Sequence, residues 1–212
     1  MKDNQHIVTA FDDDLSELNI SLQNLGKMAI TQFELSIDAL ATQHQNTLDK
    51  IIKDDVNLDD LEAAIHEKAF EIIAVRSPLA QDLRHVLVAL KIATILERTG
   101  DYARNIANRT KVIATAGNEN IPGVNIGRMG QVTRDMLQDV MRAYAARDAD
   151  KALDVWRRDI EVDHMHTAFY KEVLASMSRD PNVVATGAHL LFIAKNIERI
   201  GDYATGIAEQ IY

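Results

Sequence analysis

The segment "ERTGDYARNIA" (Glu97–Ala107) returns later in the chain as "ERIGDYATGIA" (Glu198–Ala208), with eight of eleven positions identical. Each copy places a Glu and an Asp four residues apart, a spacing that puts both on one face of a helix. Leu90 and Leu191 stand seven residues before the two glutamates, on the same narrow helical row. The carboxylates therefore continue a partly apolar stripe.

A second acidic pair precedes each copy. "DDVNLDD" sets Asp55 and Asp59 four apart, and "RRDIEVD" does the same with Asp159 and Asp163. These pairs are 104 residues apart and the Glu/Asp pairs 101, so both belong to one internal repeat. With 32 acidic residues in 212, about five pairs at this spacing arise by chance, so what counts is the repetition.

The stretches around the pairs read as helices. The first starts after the acidic cap Asp12–Asp14 and ends near His44, and the second runs from about Thr47 to Val75. "RSP" then breaks the chain, with Pro78 disfavouring helix before it and suiting a helix start. The third helix reaches about Ala114. "AGNENIPGVN" is rich in Gly, Asn and Pro and marks the boundary between halves. The fourth and fifth helices cover about Ile126–Ala146 and Ala149–Met177. "SRDP" repeats the break with Pro181, and the sixth helix follows. The expected fold is all-α: two tandem, pseudo-symmetric antiparallel three-helix bundles, residues 1–116 and 117–212.

Folding each half at its Pro-containing break brings the acidic pairs to the same height on neighbouring antiparallel helices, within about 3 Å at 1.5 Å rise per residue. Each half then carries four carboxylates across a helix pair. Such a set repels itself unless protonated or neutralised by cations. Hard oxygen ligands suit Mg²⁺, Mn²⁺, Ca²⁺ or iron, with zinc also accommodated. Asn105, one turn beyond Asp101, adds an amide oxygen. Arg98 and Arg199 are expected to orient the carboxylates from behind. Glu62 and His166 extend the Asp rows by seven residues and are weaker candidates.

Composition narrows the function. The chain has no cysteine, which removes disulfides and thiolate sites, and a formal charge of −9, which disfavours nucleic-acid binding. The start of the chain lacks the apolar core of a signal peptide, and no run reaches the roughly 18 apolar residues of a membrane span, so a cytoplasmic protein is expected. No Gly-rich phosphate loop, G-x-S-x-G or H-E-x-x-H is present, and no enzymatic activity is expected. One reading of such carboxylate sets is a ferritin-like carboxylate-bridged di-iron oxidase or storage protein. Such proteins pair two E-x-x-H motifs, whereas here Glu161 and His164 form the only one.

At the doubled "ERTGDYARN" and "ERIGDYATG", and through "RSPLAQDLRHVLVALKIATILERTGDYARNIA", the sequence resembles the PhoU family of phosphate-signalling regulators. The likeness covers essentially the whole chain. It implies a homodimeric, non-enzymatic protein that binds multinuclear metal clusters of iron, zinc, manganese or magnesium. It also implies coupling of the phosphate ABC transporter, through its ATPase subunit, to a sensor histidine kinase, with repression of the phosphate-starvation response. Carried over by position, the metal residues are Asp55, Asp59, Glu97 and Asp101 in one half and Asp159, Asp163, Glu198 and Asp202 in the other. Gly206 stands where the first copy has Asn105, so the second site is expected to be the weaker.

Overall fold

A computed structural model describes residues 2–116 and 124–211, with side chains from Phe11 and from Ile126 onward in the two stretches. The described residues form six helical rods, the second of which is broken into two helices. In chain order these are α1 (Lys2–Thr42), α2 (Gln45–Asp54), α3 (Val56–Arg76), α4 (Gln81–Ala116), α5 (Val124–Ala146), α6 (Ala149–Arg179) and α7 (Val184–Ile211). A short 3₁₀ turn, Pro181–Val183, precedes α7. No strand occurs among the described residues, and no described helix is long and apolar enough to cross a membrane. Most of the Gly/Asn/Pro-rich boundary lies outside the described residues.

The rods pack because each carries an apolar stripe at helical spacing. On α1, Leu18, Leu22, Leu25, Ala29 and Phe33 are all essentially inaccessible, and on α7 Leu190, Ile193, Ile197, Ile200, Ala204 and Ile207 are their counterparts. α1, α3 and α4 pack together in the first half and α5, α6 and α7 in the second, while α4 lies on α7 and α1 on α5. The largest buried cluster takes residues from both halves.

Small residues set the closest approaches. A methyl group on Gly26 would stand 2.8 Å from Met141, and one on Gly130 would stand 2.8 Å from Ile37. Gly26 and Gly130 lie 104 residues apart, as do Ile37 and Met141, so the α1–α5 contact is reciprocal.

Three boundaries differ from expectation. Asp12–Asp14 do not cap α1, which begins at Lys2 and runs through them. Asp14 instead bridges to Lys68 at 2.8 Å and Arg76 at 2.9 Å on α3. Those partners hold its carboxyl below the usual carboxylate range, Lys68 foremost. At the first break α3 closes on Ser77 in a left-handed conformation, with its N–H donating to the Ile73 carbonyl. Ala80 is also left-handed, so α4 starts at Gln81 and not at Pro78. At the second break Pro181 does open a helical turn, capped by the Asp180 carboxylate accepting from the Asn182 N–H.

The third difference is the break between α2 and α3 at Asp55. Gln32, on α1 and 5% exposed, donates from its amide to the Ile51 carbonyl at 3.1 Å. In an unbroken helix the Asp55 N–H would take that carbonyl. A side chain inserted into the hydrogen-bond ladder interrupts the helix there.

Candidate metal centre: two unequal carboxylate clusters

Each Asp pair faces the Glu/Asp pair of the neighbouring helix, and the glycine of each repeated motif makes this possible. A methyl group on Gly100 would meet Asp55 Oδ1 and Gln32 Oε1 at 3.5 Å and Leu58 at 2.8 Å. One on Gly201 would meet Asp159 Oδ1 at 3.0 Å, Val162 at 3.6 Å and Met136 at 4.0 Å. The bare backbone of α4 and α7 lets an aspartate from the partner helix lie down beside the motif. The two glycines view equivalent neighbours, and these comparisons align Gln32 with Met136 and Leu58 with Val162.

In the first cluster Asp55 is 3% exposed, although it is a carboxylate. Its Oδ1 accepts from Gln32 Nε2 at 3.1 Å, and its Oδ2 pairs with Arg104. The same guanidinium reaches Asp101, its neighbour one turn back on α4. Arg104 thus ties the Asp row to the Glu/Asp row. Burial pushes the Asp55 carboxyl up, while Arg104 and Gln32 pull it back. Glu97 is pushed up to about 7, first by burial and then by Asp101, Asp59, Glu62 and Asp55. The expected acids therefore do share one electrostatic neighbourhood. Glu62 accepts from the Thr94 hydroxyl at 3.1 Å and lies 3.0 Å from the His66 ring.

The second cluster has the same acids and fewer partners. Burial, then Asp163, Asp202 and Glu198, push Asp159 up to about 6. Asp202 is raised by burial and Glu198, against the pull of Lys195 and Arg199. Lys195 pairs with Glu198 at 2.6 Å within α7. Met136 replaces the amide of Gln32 and Thr205 replaces Arg104, and the Thr205 hydroxyl donates to its own helix, at the Asp202 carbonyl. Asp159 Oδ1 is consequently buried without a hydrogen-bond partner.

Two residues expected behind the carboxylates are turned elsewhere. Arg199 donates to the Tyr102 hydroxyl at 2.8 Å, across the α4–α7 contact, and Arg98 lies near the Tyr203 phenol, which it draws down against the effect of burial. Tyr102 and Tyr203 stack at 5.6 Å between centroids. The Arg and Tyr of the repeated motif therefore fasten one half to the other. Asn105 is exposed on α4, and His166 is half-buried beside Tyr170. Glu161 of the lone E-x-x-H is 3.6 Å from Arg128.

The donors are hard oxygens, and two buried ones at these clusters, Gln32 Oε1 and Asp159 Oδ1, have no hydrogen-bond partner. That chemistry fits a hard or borderline cation. Among the described residues no three Asp, Glu or His side chains stand close enough to hold an ion as placed, so binding requires the carboxylates to turn inward.

A duplicated helical protein with a carboxylate cluster in each half is the class that fold and site define. Comparison with known proteins places it more narrowly. The PhoU domain matches twice, over residues 22–110 and 126–211, and the chain belongs to the PhoU domain family. It is 40% identical over 98% of its length to a phosphate-specific transport system accessory protein PhoU homolog of Caulobacter vibrioides, covering 90% of that protein. It is 33% identical over 99% of its length to the Escherichia coli phosphate-specific transport system accessory protein PhoU, covering 86% of it. The crystal structure of PhoU from Pseudomonas aeruginosa superposes with a TM-score of 0.92 at 28% identity, covering 95% of this chain and 96% of that one. That of the phosphate transport system regulatory protein PhoU from Streptococcus pneumoniae gives 0.87 at 27% identity, with 95% and 94% covered.

Proposed function

We propose that this chain is a cytoplasmic accessory regulator of phosphate uptake that works by protein–protein contact and not by turnover. It restrains the phosphate-starvation response by linking the phosphate ABC transporter ATPase to a sensor histidine kinase, as a homodimer. The observation that carries this reading is the doubled acidic motif, together with relatives of that name over nearly the whole chain. Asp55, Asp59, Glu97 and Asp101 would hold cations in one half, and Asp159, Asp163, Glu198 and Asp202 in the other. A bound cation supplies the positive charge that crowded, partly buried carboxylates lack. The residues themselves join α3 to α4 and α6 to α7, so occupancy stiffens the surface offered to partners.

The test is genetic. Deleting the gene in its host raises phosphate-starvation transcripts in phosphate-rich medium, and restoring it returns them to baseline. Transcripts that still follow external phosphate in the deletion strain, with no second copy of the gene, overturn the reading.

A further inference from the structure

The repeat makes the two clusters alike in their acids, and the structure makes them unlike in the polar groups that hold those acids. In the first, the buried Asp55 has both oxygens engaged by the protein, one by Gln32 and one by Arg104. Arg104 also holds Asp101 and so spans the two rows that a cation would have to bridge. In the second, Met136 and Thr205 occupy the corresponding places, and Asp159 Oδ1 has no partner. Lys195 does pair with Glu198, but its side chain is 44% exposed and it holds only a neighbour on its own helix. An exposed lysine on a flexible stem leaves such a pair at little cost. Arg104 is itself 35% exposed, but it is bound across helices to a nearly inaccessible carboxylate, and its departure strands that buried charge.

We infer that Arg104, supported by Gln32, is a built-in counter-ion of the first cluster, which a divalent cation must displace, so that the second cluster loads first. This rests on the metal-binding reading above. It reverses the order expected from Asn105 and Gly206, because Arg104 sits one residue before Asn105 and closes the site that Asn105 was expected to enrich. The role is specific to this position: the second copy has Thr205 there, which carries no charge.

Chelator-buffered Mn²⁺ titration, followed by electron paramagnetic resonance, tests it on the full chain. Glu198→Ala with Asp202→Ala leaves the first cluster, and Glu97→Ala with Asp101→Ala leaves the second. The second-cluster form should bind Mn²⁺ at least about tenfold more tightly. Adding Arg104→Thr to the first-cluster form should raise its affinity by a similar factor. Adding Thr205→Arg to the second-cluster form should lower its affinity, a readout that stands even if loss of Arg104 disturbs folding. Equal affinities that neither substitution moves overturn the counter-ion role and leave metal binding intact. A chain that takes up no Mn²⁺ in either form overturns metal binding and this inference with it.

Discussion

The Arg199 guanidinium donates to the phenol oxygen of Tyr102 at 2.8 Å, joining the second copy of the motif to the first. Burial by itself would push the Tyr102 phenol up, but Arg199, Tyr203 and Arg98 together bring it below its ordinary value. Replacing Arg199 with Ala removes the largest of the opposing influences. The expected result is an ultraviolet tyrosinate titration in which one phenol moves to higher pH. An unchanged curve would show that Arg199 does not act on the Tyr102 phenol.

The raised acids give the metal-free protein a defined pH response. Glu97 titrates near 7 in the fold and 4.5 when free, so between those values the folded chain holds more protons than the unfolded one. Its ionisation therefore lowers stability as pH rises from 4.5 to 7, and the whole penalty is present above 7. Asp159 acts the same way between 3.8 and 6. His85 opposes them, because burial and Arg147 hold its ring below 6.5 and acidification charges it in the unfolded chain first. The difference between wild type and Glu97→Gln isolates the acid. In EDTA, urea unfolding should find the variant the more stable at pH 8, with the gap closing by pH 4.5. A gap that widens on acidification would contradict the assignment.

Two glycines three residues apart on α5 should respond unequally to replacement by alanine. Nothing lies within 4 Å of a methyl group at Gly127, so Gly127→Ala should stabilise by up to about 1 kcal/mol through helix propensity alone. A methyl group at Gly130 would meet three Ile37 carbons at 2.8 Å. Ile37 is buried and β-branched, so overpacking of about 1–3 kcal/mol offsets or exceeds the same gain. Thermal or denaturant unfolding of the two variants should separate them by at least about 1 kcal/mol. Equal effects would mean that α1 and α5 are not in close contact.

The glycine beside Asp159 concerns the site more than the fold. A methyl group at Gly201 would stand 3.0 Å from Asp159 Oδ1, tight enough that the carboxylate must shift by a few tenths of an ångström. Gly201→Ala should therefore weaken Mn²⁺ uptake by the second cluster while changing unfolding free energy by no more than about 1 kcal/mol. Unaltered uptake would show that this aspartate takes no part in binding.

The repeat, the two proline breaks and the facing acid rows were legible because each is written in spacing along the chain. The partners of the acids were not. Gln32 belongs to no motif and lies on a different helix, and only the packing of α1 on α2 and α3 brings its amide to Asp55. Its insertion also explains the unforeseen break at Asp55, since nothing local in "IIKDDVNLDD" stops a helix. Arg104 was in plain view, but an argument built on what the two copies share passes over a position that is Arg in one and Thr in the other. Arg98 and Arg199 were misdirected for a related reason. Helical spacing reports which residues share a face within one helix, and their partners lie across the join.

The reciprocal seating of Gly26 on Met141 and Gly130 on Ile37 bears on how such a duplicated chain can change. Two copies that merely sat side by side would remain divisible, and either could be exchanged or expressed alone. Here each copy presents a bare glycine that admits a side chain from the other, and the buried cluster draws on both. Cutting the backbone between Ala116 and Val124 would leave two fragments that each expose the apolar stripe the other covers. The join works as a mutual lock: the copies differ in what surrounds their acids, as at Arg104 and Thr205, yet each needs the other to cover its apolar stripe.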